Sequence, residues 1–150
     1  MKLISHRGNL SGPNNNLENN PNQVEKIMSL GFDCEIDVRT KDEELFLGHD
    51  SPDFQISFDW LTSFSDKLWI HCKDIRTLSF LSNANSNLNY FWHDTDSYTI
   101  TSKGNIWVFP GKPVPVNGVL VLPENIGLFA KDIDSTLHFG VCSDYIRDYL

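Results

Sequence analysis

The stretch Phe32-Asp33-Cys34-Glu35-Ile36-Asp37-Val38 limits what this chain can fold into more than any other. Its strict alternation predicts a strand with Phe32, Cys34, Ile36 and Val38 on one face and Asp33, Glu35 and Asp37 on the other. Glu35 and Asp37 would then stand about 6.5 Å apart. At an effective dielectric near 20 their repulsion costs about 2–3 kcal/mol. A divalent cation bound between them removes that cost and supplies chemistry as well. The competing reading is a solvated polar face on an edge strand.

Only residues 39–44 separate Val38 from the next apolar run at Leu45. That is too short for a parallel crossover, so the second strand is expected to return as an antiparallel hairpin. A turn centred on Glu43 puts Asp37 opposite His49, with both side chains on one face. A bulge of one residue would break this register.

With 150 residues, 40% of them hydrophobic, the chain suits a single domain over 1–150 with a core of its own. Its net charge of −8 argues against duplex nucleic acid or an anionic membrane as the main partner. A local basic pocket could still bind phosphate. Cys34, Cys72 and Cys142 are an odd count without C-x-x-C spacing and read as small buried residues of a reducing compartment. Leu3-Ile4 is interrupted at once by Ser5-His6-Arg7, so no signal peptide is expected. No run approaches the roughly 18 apolar residues of a membrane span. The expected location is cytoplasmic, without stable membrane insertion.

Short apolar runs recur and most end in a polar residue: residues 3–5 before His6, 45–47 before His49, 68–70 before His71, 89–92 before His93, 138–141 before Ser143. Helix candidates lie between several of them, at 21–30, 58–64, 75–81 and, shorter, 124–130. Strands alternating with helices predict a parallel sheet whose strand C-termini carry the site. A full eight-fold barrel takes about 250 residues. The expected fold is therefore α/β, a reduced, irregular TIM-type (β/α) barrel with an antiparallel hairpin insertion and shortened helices. Residues 10–22, 95–104 and 110–118 read as loops.

Five motifs occur in order: Ser5-His6-Arg7-Gly8, Glu18-Asn19, Glu35-Ile36-Asp37-Val38, Thr40-Lys41-Asp42 and Gly48-His49-Asp50. Together they resemble the glycerophosphodiester phosphodiesterase family of phospholipase C-like phosphodiesterases, of which this would be a short, divergent member. The resemblance implies His6 and His49 as general acid and base, and Glu35 and Asp37 as ligands of a divalent metal. The family's next strand usually ends Glu-x-Lys. Here Ile70-His71-Cys72-Lys73 has a histidine in the glutamate's place and keeps the lysine. Gly140-Val141-Cys142-Ser143-Asp144 resembles the family's last strand.

Each candidate also has a plainer reading. His6-Arg7 is either a surface turn or an acid–base group beside a permanent planar cation for phosphate. Glu18 either caps the helix near Pro21 or closes the site by orienting Arg7 or reaching the metal. His71 is either a third metal ligand, whose softness favours manganese or zinc over magnesium or calcium, or a donor to the substrate. Lys73 either binds phosphate or pairs with Glu35 or Asp37. Trp92, His93, Trp107 and Phe109 are either barrel core or an aromatic wall for a sugar or glycerol group. Lys103 and Lys112 read as solvated loop lysines. The expected activity is metal-dependent hydrolysis of a phosphodiester, glycerophosphodiester-like or of a sugar or lipid. The alternative is a non-catalytic binding module for a phosphorylated small molecule on the same scaffold.

Overall fold

A computed structural model describes all 150 residues. Its ten strands are β1 Lys2–His6, β2 Asp33–Lys41, β3 Glu44–Leu47, β4 Phe54–Ile56, β5 Leu68–Cys72, β6 Asn89–Trp92, β7 Tyr98–Ile100, β8 Ile106–Val108, β9 Gly118–Val121 and β10 Gly140–Ser143. The α-helices are α1 Pro21–Ser29, α2 Phe58–Ser63 and α3 Ile75–Asn83. Parallel ladders run through β6-β5-β2-β1-β10-β9-β8. The β7 strand joins β8 antiparallel, and β3 and β4 extend antiparallel from the far half of β2.

The TIM-type (β/α) barrel expected from the sequence is not what forms. The chain is a curled mixed sheet, a half-barrel, with only three short helices. Between β6 and β8 the chain spends its length on β7 rather than on a crossover helix. Between β8 and β9, Pro110, Pro113 and Pro115 fix φ and remove N–H donors, which rules out a helix there. Both strands missed in the sequence, β4 and β7, are three residues long and antiparallel, too short for alternation to register.

The sheet separates two apolar layers. Cys34, Ile36, Val38, Leu68, Ile70 and Cys72 pack on one face against Val24 and Met28 of α1, Leu61 of α2 and Leu81 of α3. Ile4, Trp69, Phe91, Trp107, Val119, Val121 and Cys142 fill the other. Phe91 on β6 and Trp107 on β8 belong to opposite ends of the parallel run, yet their ring centroids lie 4.7 Å apart. The curl therefore brings the two ends together through side chains. All three cysteines are free and buried. No helix is long and apolar enough to cross a membrane.

The alternation in β2 holds, and the solvated edge-strand reading does not. β2 has neighbours on both sides, and Asp33, Glu35 and Asp37 are 6%, 2% and 0% exposed. Asp33, at the start of the strand, is compensated by Lys2 Nζ at 3.0 Å and by the Trp69 indole N–H at 3.1 Å. Glu35 and Asp37 are left to the far end, where the strands finish.

The hairpin register is one residue off the expected one. Lys41 pairs with Glu44 and Val38 with Leu47 across a two-residue turn, in which Asp42 and Glu43 both have positive φ (50° and 66°). Primed turns of this kind match the twist of hairpin strands but favour Asn and Gly. Replacing Glu43 by Gly should relieve left-handed strain and stabilise the fold by about 1 kcal/mol. For a chain of this size that raises Tm by roughly 2–4 °C. A melting curve shifted downward would contradict this turn.

Candidate functional site

Parallel strands deliver their last residues to one end of the sheet. His6 pairs in register with Glu35, and Asp37 with His71. Arg7, Lys73 and Asp144 each follow directly on a strand of this group. The ligand atoms of Glu35, Asp37 and His71 all lie within 4.8 Å of one another.

The orientation of His71 decides what this cluster can hold. Its Nε2 is 2.7 Å from the backbone oxygen of His93, and a carbonyl can only accept. The proton therefore sits on Nε2, and in the neutral ring Nδ1 offers a lone pair. That Nδ1 faces Asp37 Oδ1 at 3.3 Å and Glu35 Oε1 at 3.8 Å. The ring is fixed by stacking on Phe91, with centroids 5.1 Å apart and planes 13° apart. Asp37 Oδ1 is buried and has no hydrogen-bond partner. Three acceptors converging on a buried space, one of them orphaned, form a donor set that fits a divalent cation of borderline softness.

Protein cations compensate part of the charge. Arg7 Nε lies 3.0 Å from Asp37 Oδ2, and Lys73 Nζ lies 3.8 Å from Asp37 Oδ1. Asn19 clamps Asp37 at both ends, donating to Oδ2 at 3.0 Å and accepting from the Asp37 N–H at 2.9 Å. Burial pushes the Asp37 carboxyl up, but Arg7, Asn19 and, when its ring is doubly protonated in the absence of a metal, His71 outweigh it and hold it below the usual range. Glu35 is pushed up, first by burial and then by the charge of Asp37. It is the less compensated of the two.

His6 is held from behind. Its Nδ1 is 2.7 Å from Asp144 Oδ1, which leaves Nε2 toward Glu35 Oε2 at 4.0 Å. Burial alone would lower the His6 pKa, but the bond to Asp144 and the charge of Glu35 raise it. Asn9 donates to Asp144 Oδ1 at 2.8 Å and to Glu18 Oε1 at 2.9 Å. Glu124 accepts the Asp144 N–H at 2.8 Å. Glu18 does not cap α1, because Asn20 does. Instead Glu18 accepts from Arg7 Nη1 at 3.3 Å and so orients the guanidinium. Arg7 Nη2 has no protein partner.

His49 does not sit directly across from Asp37. Gly48 does, donating its N–H to the Asp37 carbonyl at 3.1 Å. Gly48 has φ +150°, and a Cβ there would come within 1.8 Å of Ser51 O. The chain swings at this glycine and brings His49 to the rim of a cavity of about 290 Å³, shared with Arg7, Glu18 and Asn19. The imidazole is bonded to Asp50 Oδ1 at 2.8 Å, and burial together with Arg7 lowers its pKa.

The aromatic wall divides. Trp107 is core, whereas Trp92 and Phe109 are partly exposed and His93 gives its imidazole to the Asp96 carbonyl. Lys103 is bonded to Ser65 O, and Lys112 is exposed. The largest cavity, about 810 Å³, lies elsewhere, on Tyr98, Ile100, Ile106 and the proline-rich loop. It gathers no acid–base or ligating cluster, so the chemistry resides with the acids. Sequence reasoning did not assign Asp144, Asn9, Asn19 or Glu124. For Asn19 a signal existed, since it closes a motif with Glu18.

In metal-free protein, His6 should titrate above the ordinary histidine range. Asp144→Asn should bring its pKa down, because the charged hydrogen-bond partner is lost while burial remains. Histidine ring NMR against pH measures this, and an unchanged His6 midpoint would remove Asp144 as the cause. No family model matches the chain, and neither a curated protein nor a solved structure matches it.

Proposed function

We propose that this chain is a metal-dependent phosphoric diester hydrolase that uses His6 and His49 as its general acid and base. The observation that carries the reading is the convergence of Glu35, Asp37 and the Nδ1 lone pair of His71 beside a histidine already oriented by a carboxylate. Binding alone requires cations. A His–Asp pair with its second nitrogen directed into the same space suits proton transfer.

Glu35, Asp37 and His71 would hold the ion, which supplies Lewis acidity toward the phosphorus oxygens when bound. Arg7 contributes its unpaired Nη2 to a non-bridging oxygen, with Glu18 and Asp37 keeping the guanidinium plane in place. Lys73 adds a second positive charge across Asp37. Asp144 keeps the Nδ1 proton of His6, so that Nε2 takes or gives the transferred proton. His49 serves the opposite side from the rim. One histidine deprotonates the nucleophile, a water or a vicinal hydroxyl, and the other protonates the leaving oxygen.

Metal analysis and isothermal titration on purified protein test the first half. One divalent ion per chain is expected, with affinity lost in Glu35→Gln/Asp37→Asn. His71→Glu should shift preference away from manganese and zinc toward magnesium. Unchanged metal content in the double variant would assign the carboxylates to Arg7 and Lys73 instead.

A panel of simple phosphodiesters tests the second half. His6→Ala and His49→Ala should each lower kcat by about 10²–10⁴-fold. The double variant should fall little further, since groups acting as a unit are not additive. A nitrophenolate leaving group should partly rescue only the variant lacking the acid, which assigns the roles. Metal bound with no cleavage across the panel would leave a binding module for phosphorylated small molecules.

A further inference from the structure

Past Leu47 the β-ladder ends, and nothing in the sheet fixes His49. The Arg39 guanidinium grips the backbone there. Its Nε donates to the Gly48 carbonyl at 3.0 Å and to the His49 carbonyl at 3.1 Å, and its Nη2 donates to the His49 carbonyl as well. Arg39 is anchored in turn by pairing with Phe46 in the hairpin ladder. The next residue, Thr40, donates its N–H to Asp74 Oδ2 at 2.8 Å and shares a hydroxyl contact with Thr77 at 2.8 Å. The hairpin stem is thus tied to the start of α3, and Arg39 extends that rigidity past Gly48 to His49.

The His49 backbone carbonyl has no other partner, and its ring reaches only Asp50, which is solvent-exposed. Gly48, with its positive φ, is the swivel point. The Asp53 N–H closes the loop on the Leu47 carbonyl at 3.0 Å, but of the residues between, His49 is held only by Arg39, without which the imidazole would sweep the rim of the cavity. We propose that Arg39 is the positioning residue that holds His49 in its working place, through its two backbone carbonyls rather than through the imidazole. This rests on the reading of His49 as an acid–base group. Lysine cannot replace arginine fully, because its ammonium lacks the planar pair of N–H groups, Nε and Nη2, that the guanidinium sets on the His49 carbonyl.

The test compares Arg39→Ala, Arg39→Lys, His49→Ala and Arg39→Ala/His49→Ala, using glycerophosphoethanol as substrate and manganese as metal. Backbone ¹⁵N relaxation of residues 48–50 is measured without substrate. Arg39→Ala should lower kcat about 10²-fold, as misplacement of a reacting group does, with KM little changed. The double variant should be no slower than His49→Ala, and Arg39→Lys should fall between Arg39→Ala and the parent. The His49 amide order parameter should drop from about 0.85 to below about 0.6 in Arg39→Ala. If Arg39→Ala does not fold, Arg39→Lys carries the test by the same two measurements. Losses that multiply in the double variant, or a His49 amide that stays rigid without Arg39, overturn the assignment. If the parent protein cleaves no phosphodiester, the hydrolase reading fails. The order parameters then still decide whether Arg39 holds His49.

Discussion

Two carboxylates of like charge, two residues apart on a central strand and sealed from water, set the terms for everything around them. Burying them uncompensated would cost more than the marginal stability of a domain this size allows. Around Glu35 and Asp37 the chain accordingly gathers Arg7, Lys73, Asn19, His71 and, beyond them, His6. They come from the ends of β1 and β5 and from the loop before α1, so the parallel order of β1, β2 and β5 is what makes the compensation possible. The outer shell follows the same logic. Glu18 and Asp144 balance the cations that the inner acids attracted, and Asn9 joins the two.

The sequence disclosed this centre because its signals are local. A period of two in residues 32–38 is visible without knowing any partner, and it put the acids on one face as found. Three of the four helix candidates became α-helices, to within two residues of their expected ends, whereas 124–130 holds only short 3-10 turns at Pro123–Ile126 and Ala130–Asp132. The architecture did not follow, because the strands were expected to close into a reduced barrel around the loops read at 95–104 and 110–118. The first of those loops holds the antiparallel β7 and the second is a proline-rich connection, and a half-barrel results.

The misplaced pairing of His49 with Asp37 has a local origin. The hairpin turn contains Asp42-Glu43 rather than Asn-Gly, so its tight two-residue form was hidden and the register was set one residue long. His49 still reached the rim, but by the swing at Gly48 rather than by the ladder. Asp144 escaped assignment for a different reason. Its partner His6 lies 138 positions away, a distance over which residue type alone says nothing about contact. The Arg39 grip was equally hidden, because its acceptors are main-chain carbonyls that every residue possesses.

The pairing of β1 with β10 also bears on how the molecule is made. These strands are adjacent at the middle of the sheet, yet one comes from residues 2–6 and the other from residues 140–143. Contacts of such high sequence separation are formed late, because the loop-closure entropy must be met before they add stability. During synthesis β1 can pair with β2 early, but its other edge waits for nearly the whole chain to emerge. Until then an open parallel edge faces the cell, the kind of surface on which chaperones act and misassociation begins. The His6–Asp144 contact spans this last seam. The site is thus assembled by the same event that closes the sheet, and a chain that stalls short of it has the acids in place without the oriented histidine.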